Sequence, residues 1–222
     1  WGHSLVGAIR PFSTTVEAFC VLCACPEVAD RAILDMLKSF YEHQMYLLQF
    51  QSFPPSNKTI AEGRTITALG CAFPEFREAA FWREEGNRRL LDDLRVQVLP
   101  DGASYELTPG YQMAIASWFL EAFEVARKFS HPLDPELEAG IRRMYDWLVA
   151  VTRPDFSRPS VSDAGSTDSR YGGGIERPGR VLDNPAAIWV GTEGKEGAAP
   201  DYTSIALRDS GYFAMRSGWD KD

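Results

Sequence analysis

The spacing of apolar residues predicts helices over most of the first 152 positions. The clearest pattern is a repeat at intervals of three and four in the predicted sixth helix, formed by Leu137, Ile141, Met144, Leu148 and Val151. A similar repeat in the predicted fifth helix comprises Ile115, Trp118, Phe119, Ala122, Ala126 and Phe129. Short turns separate six such segments, which predicts antiparallel helical hairpins stacked side by side.

Capping residues and prolines mark where the first three helices begin. Thr14 and Glu17 have the spacing of a capping box, and the apolar segment that follows is expected to form a short buried helix. Pro26 suits the first turn of the second helix. Ser56 is expected to cap a third helix that ends near Cys71.

The fourth and fifth helices flank a polar loop. The fourth is predicted from about Pro74 to Val98, and the loop LPDGASYELTPG follows it. Thr108 is a natural N-cap for the fifth helix, and Pro109 suits its first helical position.

The composition changes after position 152. Residues 153–200 are rich in Pro, Gly, Ser and Asp, which predicts a long loop or linker. Its glycine run, RYGGGIERPGR, could cradle a phosphate, but no Lys-Ser/Thr pair of a P-loop follows it. From Tyr202 the pattern alternates around a turn at 209–211, which indicates strands. The predicted division is a helical domain over 1–152, the linker, and the start of a β-sandwich domain over 201–222, so the sequence is interpreted as a fragment.

Charge and cysteine content exclude several classes of protein. The chain has 31 acidic and 23 basic residues and lacks a basic cluster, so a nucleic-acid partner is not expected. No apolar run is long enough to span a membrane, so no membrane partner is expected. Three of the four cysteines lie in CVLCAC without a second pair of metal ligands, and we interpret them as small buried residues. Neither a metal nor another cofactor is expected.

Polar residues gather at the starts of the third and fifth helices. Alternate helices in such a stack are parallel, so both N-termini are expected on one rim, where free amides and the helix dipole favour an anion. The polar residues there are Asn57, Lys58, Glu62, Glu106, Tyr111 and Gln112. The dipole favours the phenolate of a first-turn tyrosine, which suits acid–base chemistry, and an amide beside an ammonium could bind a carboxylate. Packing and helix capping would account for the same residues, and position alone does not decide between these interpretations.

The segments SNKTIAEG, AFPEFREAAFWREEG and VQVLPDGASYELTPGYQMA resemble the helical domain of the heparinase II/III-like polysaccharide lyases, a superfamily of heparin, heparan sulfate and oligo-alginate lyases. The resemblance continues in PSVSDAG and in DSGYFAMRSGWD, and the latter resembles the first strands of the superfamily's β-sandwich domain. The ordered combination of SN, FPEF and DGxxxExxPxY makes the resemblance specific. It implies a mainly α fold, an incomplete (α/α) toroid of antiparallel helical hairpins, followed by antiparallel β-sheets.

The resemblance also implies β-elimination on a uronic-acid polysaccharide, such as heparan sulfate or alginate, by a periplasmic or secreted enzyme. It implies that Asn57 binds and neutralises the uronate carboxylate. Tyr111 is implied as the general acid on the leaving glycosidic oxygen, and as base for some substrate stereochemistries. The residues implied in substrate contact or in orienting the site are Lys58, Glu62, Glu106 and Gln112. The β-sandwich domain of the same polypeptide is expected to supply a further base.

Two positions depart from the pattern of the superfamily. Gln112 stands where many relatives have histidine, and Lys58 stands where some have histidine or tryptophan. Neither substitution supplies a titrating imidazole, and the superfamily draws a further base and substrate contacts from its β-domain, so residues 1–222 alone are expected to be weakly active or inactive. One alternative is a glycoside hydrolase on an α/α toroid with Glu106 and Asp163 as its paired carboxylates. The other is a carbohydrate-binding or scaffold protein that kept the fold without the chemistry.

Overall fold

The computed structural model describes residues 4–11, 16–162 and 173–219. Within these ranges the elements are α1 (Ser4–Arg10), α2 (Val16–Cys23), α3 (Asp30–Gln49), α4 (Asn57–Ala72), α5 (Ala79–Gln97), α6 (Pro109–Lys128), α7 (Pro135–Val151), α8 (Gly173–Val181), α9 (Pro185–Gly191), β1 (Ser204–Leu207) and β2 (Tyr212–Met215). The predicted order, helices followed by antiparallel strands, is confirmed. No helix in the described ranges has the length and apolar character that crossing a membrane requires.

The chain forms two compact units. The first comprises Trp1–Asp93 and Glu121–Asp134. The second comprises Leu94–Leu120 and Pro135–Asp222.

Helix α4 is the centre of the first unit, and its residues from Thr59 to Cys71 are all buried. Two side-chain bonds attach neighbouring helices to it. Thr65 Oγ1 donates to the Ala8 carbonyl of α1 at 2.7 Å. Gln44 Nε2 of α3 donates to the Ile66 carbonyl at 2.9 Å. Because an unbonded buried polar group is costly, these pairs fix α1 and α3 against α4.

Helix α5 lies close to α4 because Gly86 has no side chain. A Cβ at this position would lie 2.6 Å from the Thr67 nitrogen, which is too close. One turn further on, the Arg89 guanidinium donates to the carbonyls of Leu47 and Leu48 at 3.0 and 3.1 Å. Since the last carbonyls of a helix have no helical partner, α5 thereby completes the end of α3.

Helix α7 forms much of the core of the second unit. The predicted stripe is confirmed, because its residues are all buried: Leu137, Ile141, Met144, Leu148 and Val151. Helix α7 packs against α8, α9 and β2.

The two strands form an antiparallel pair, in register from Ser204 opposite Met215 to Leu207 opposite Tyr212. The predicted turn is confirmed, and Gly211 has a φ of 73° there. A lone hairpin would be marginally stable, but this one is bonded to α7 and to the residue after it. Arg216 Nη2 donates to the carbonyls of Ala150 and Thr152 at 2.7 and 3.0 Å.

The first helix predicted from the sequence corresponds to α2, and the expectation that it is buried is wrong. In α2, Val21 is 70% exposed and both Cys20 and Cys23 are exposed. The physical reason is that α2 packs through one side, where the Phe19 ring meets the Phe40 ring edge-on at 5.5 Å. Among the cysteines, burial is confirmed for Cys71 only. The Thr14 capping box lies outside the described residues.

Two predicted helix starts are also wrong. Helix α3 begins at Asp30, because Pro26 lies in a turn closed by the bond from Val28 N–H to the Cys25 carbonyl. Helix α5 begins at Ala79 instead of Pro74, because the aromatic rings of residues 73 and 76 pack together in a turn. In addition, α1 was not predicted.

The prediction of a continuous loop over 153–200 is wrong for residues 173–191, which form α8 and α9. Glycine content predicts a loop, but the two helices and the turn between them bury four apolar residues, Ile175, Leu182, Ala187 and Val190. Packing of the two helices on each other and on α7 outweighs local propensity. Asn184 caps α9, since its Oδ1 accepts a bond from the Ala187 N–H at 3.0 Å. The division of the chain into domains at 152 and 200 stays a prediction.

Candidate functional site

Helix α4 begins at Asn57 in the first unit, and Ser56 is its N-cap, as predicted. The first turn is closed by Thr59, whose Oγ1 accepts a bond from the Ser56 N–H at 3.1 Å. The same hydroxyl lies 2.7 Å from Asp93 Oδ1, which is buried. Sequence analysis missed this contact with Asp93, because nothing in the local pattern indicates a partner 34 residues away. These bonds fix the backbone that carries Asn57.

The side chains of Asn57 and Lys58 are partly exposed in this first turn. The turn contains no acidic residue, although acids are the residues that the positive end of a helix dipole favours there. A lysine at this position adds to the positive potential. The helix end and Lys58 favour a negatively charged group at the start of α4, whereas the buried Asp93 carboxylate beside Thr59 and the net charge of −8 oppose it.

Glu62 lies one turn further along α4 and is 0% exposed. Its carboxylate accepts bonds from the Ser52 N–H at 3.1 Å and from the Ser52 hydroxyl at 2.7 Å. The Ser52 hydroxyl also lies 2.6 Å from that of Ser4 in α1. Glu62 thus anchors the loop that leads into Asn57. This geometry favours an orienting role over direct contact with a substrate.

In the second unit, Tyr111 lies in the first turn of α6 and is 38% exposed. Glu106 is partly exposed in the preceding loop, and its N–H donates to Ser104 Oγ at 3.3 Å. Thr108 holds the predicted N-cap position, and its carbonyl accepts the Gln112 N–H at 2.9 Å. Its hydroxyl is nevertheless buried without a hydrogen-bond partner among the described residues, so the expected side-chain cap is absent.

Gln112, beside Tyr111, is 1% exposed and its amide is fully engaged with the protein. Its Oε1 accepts the Ser104 N–H at 2.5 Å. Its Nε2 donates to the carbonyls of Gly102 at 2.9 Å and of Met144, in α7, at 3.2 Å. Gln112 therefore ties the loop before α6 to α7. As with Glu62, this favours an orienting role over contact with a substrate.

The hairpin also contacts this loop. Asp101 Oδ2 accepts the Ser210 N–H at 2.7 Å, and the Tyr212 hydroxyl donates to the Leu107 carbonyl at 2.7 Å. Burial raises the pKa of the Tyr212 phenol, which favours the protonated form that donates this bond. Sequence analysis missed these contacts because the partners are more than 100 residues apart.

The prediction that the starts of α4 and α6 lie on one rim stays a prediction. Asp163, one of the two carboxylates of the hydrolase alternative, lies outside the described residues.

Comparison with known proteins identifies a family and several relatives. The family model named Heparinase II/III N-terminus matches residues 5–172. A heparin-sulfate lyase of Pedobacter heparinus is 29% identical over 210 residues, which cover 92% of this chain and 31% of the relative. A heparin-sulfate lyase of Bacteroides stercoris is 30% identical over 201 residues, which cover 89% of this chain and 30% of the relative. The chain thus spans about a third of the length of these curated relatives.

Solved structures match over nearly the whole chain. Heparinase III, the BT4657 gene product, has a TM-score of 0.85 and 27% identity, covering 99% of this chain and 34% of that one. The heparan sulfate lyase HepC from Pedobacter heparinus has a TM-score of 0.81 and 27% identity, covering 99% and 35%. These likenesses confirm the fold class that the sequence predicts.

Proposed function

The chain belongs to the heparinase II/III family, and on this basis we propose that it is part of a polysaccharide lyase that cleaves heparan sulfate by β-elimination. Relatives of this chain are named heparin-sulfate lyases, and they align with it over about nine-tenths of its length. Because the chain spans about a third of those relatives, the proposal concerns the complete polypeptide. An oligo-alginate substrate is the alternative within the same chemistry.

The observation that carries the proposal is the environment of Tyr111. Tyr111 is 38% exposed, whereas the adjacent Gln112 is buried and bonded to two backbone segments. A catalytic group needs this combination, an exposed reactive atom on a support that does not move.

The proposed reaction removes the proton at C5 of the uronate, forms a double bond between C4 and C5, and breaks the bond from C4 to the glycosidic oxygen. Tyr111 donates its proton to that leaving oxygen. Asn57 donates hydrogen bonds to the uronate carboxylate, which makes the C5 proton more acidic because the charge of the enolate is stabilised. Lys58 adds positive charge beside Asn57, and a sulfate or carboxylate suits it.

The remaining site residues receive supporting roles in this proposal. Glu62 and Gln112 orient the backbone at Asn57 and Tyr111, as their burial and bonds favour. Glu106, which is partly exposed, contacts the substrate. A further base comes from the β-sandwich domain of the same polypeptide. The large extracellular substrate implies export to the periplasm or the medium.

The product of the reaction tests the proposal. The complete polypeptide of the open reading frame is incubated with heparan sulfate and, in parallel, with alginate. The ultraviolet absorbance of an unsaturated uronate and the reducing ends are both followed. We expect both signals to rise together on heparan sulfate. Reducing ends without an unsaturated uronate would indicate hydrolysis and contradict the proposal, and binding without either signal would identify a carbohydrate-binding protein.

A further inference from the structure

The β1–β2 hairpin holds the loop that precedes Tyr111 at both of its ends. The loop, residues 101–108, begins at Asp101, whose Oδ2 accepts the Ser210 N–H at 2.7 Å and lies 2.8 Å from the Ser210 hydroxyl. It ends beside Leu107, whose carbonyl accepts the Tyr212 hydroxyl at 2.7 Å. Two residues of one hairpin therefore reach the two ends of this loop.

The bond at Leu107 lies at a point of backbone strain. Leu107 has a φ of 54°, in the left-handed region that residues other than glycine rarely adopt. Such a conformation persists when its surroundings fix it. The Leu107 N–H donates to the Ser104 carbonyl at 3.0 Å, and its own carbonyl accepts from Tyr212. Leu107 lies two residues before Pro109, the first residue of α6.

The donors on the hairpin are themselves fixed by α7. The Tyr212 ring meets the Trp147 ring edge-on, with centroids 4.9 Å apart. Trp147 Nε1 lies 3.2 Å from the Ser210 hydroxyl. Trp147 is 1% exposed in α7, so Ser210 and Tyr212 both contact a buried side chain.

We propose that Ser210 and Tyr212 are positioning residues, which hold the 101–108 loop and thereby place Glu106 and Tyr111 for the reaction. This inference rests on the proposed function. It makes the hairpin, whose residues resemble the start of a separate β-domain, a part of the support for the acid–base residue. Neither Ser210 nor Tyr212 is proposed to touch the substrate.

The test uses Tyr212→Phe in the complete polypeptide, since this change removes one oxygen and keeps the ring packing. The matched control is Tyr202→Phe, which removes a half-buried phenol oxygen elsewhere in the second unit. We expect hydrogen exchange of the amides in 101–108 to become about three- to tenfold faster in Tyr212→Phe and to stay unchanged in the control. On heparan sulfate, kcat is expected to fall by a similar factor, with KM within about twofold of wild type.

A second variant, Asp101→Asn, weakens the acceptor at the other end of the loop. It is expected to make hydrogen exchange of the amides in 101–108 faster and to lower kcat, as Tyr212→Phe does. Unchanged exchange in both variants would show that the hairpin does not hold the loop. Faster exchange with unchanged kcat would overturn the positioning role. A rise in KM alone would also overturn it, because it would place Tyr212 in substrate binding. A wild-type protein without lyase activity would contradict the proposed function and with it the positioning role, whereas the exchange data would still decide whether the hairpin holds the loop.

Discussion

Glu85 and Arg89 form an ion pair in α5, with the carboxylate Oε1 2.7 Å from Arg89 Nε. The other guanidinium nitrogens of Arg89 donate to the last carbonyls of α3. Arg88 binds the same carboxylate at 2.8 Å through two of its nitrogens. The hydrogen bond from Arg88, with further bonding from Arg89, lowers the pKa of Glu85 to about 2.

From this ion pair we expect the free energy of unfolding to fall in acid. Because the pKa of Glu85 is lower in the folded state than its ordinary value of 4.5, its contribution is complete above pH 4.5 and is lost as the pH falls towards 2. Glu85→Gln is expected to reduce the free energy of unfolding by about 2 kcal/mol at neutral pH and by much less near pH 2. Denaturant unfolding at both pH values measures the difference.

The control for Glu85→Gln is the neighbouring Glu84→Gln, which removes the same charge from an exposed side chain. This variant is expected to change the free energy of unfolding by less than about 0.5 kcal/mol. A difference between Glu85→Gln and wild type that does not depend on pH would contradict the account of the pair.

Glu62 gives a second prediction, which concerns the loop before Asn57. Glu62→Gln keeps the shape of the side chain but places an amide near two donors of Ser52. We expect a loss of about 1–3 kcal/mol in the free energy of unfolding, because one buried partner is left unbonded. The matched change Glu42→Gln, at an exposed position of α3, is expected to cost less than about 0.5 kcal/mol. Equal losses in the two variants would show that Glu62 does not anchor the loop.

Substitutions at two glycines with positive φ distinguish the energetic cost of steric overlap from the cost of backbone strain. Gly102 has a φ of 93°, and a Cβ there would overlap the Arg143 carbonyl group in α7. Gly211 has a φ of 73°, and among the described residues, its chain neighbours apart, no heavy atom lies within 4 Å of the corresponding position. Gly211→Ala is expected to cost about 1 kcal/mol from strain alone.

Gly102→Ala is expected to cost about 3 kcal/mol or more, since it adds a clash with α7 to the same strain. Thermal or denaturant unfolding of both variants gives the comparison. If the two substitutions cost the same, the 101–108 loop can move away from α7, and the support inferred for Tyr111 is absent.

Local patterns predicted much of the fold. The apolar stripe of α7, the N-cap at Ser56 and the hairpin turn were confirmed, because each depends on neighbouring residues along the chain. The motif resemblance was confirmed by the family match over 5–172. Helices α8 and α9 were missed because their glycine and proline content predicts a loop, and packing on α7 outweighs it.

Local sequence patterns likewise predicted only part of the candidate site. Asn57 and Tyr111 could be located from motifs, but the roles of Glu62 and Gln112 depend on burial, which no motif reports. Each bonds to backbone groups that are 8 to 32 residues away in sequence. Contacts of the hairpin with the 101–108 loop join still more distant residues, and they became visible only in the structure.

The measurement that tests the central claim most directly is turnover of heparan sulfate by Tyr111→Phe in the complete polypeptide, followed by the absorbance of the unsaturated uronate. The control is Tyr41→Phe, whose ring packs against Phe76 and Trp82 in the first unit. We expect kcat to fall by at least about 100-fold in Tyr111→Phe, with the dissociation constant for the polysaccharide changed by less than about threefold. A kcat of Tyr111→Phe equal to that of the wild-type protein would contradict the assignment of Tyr111 as the acid of the reaction.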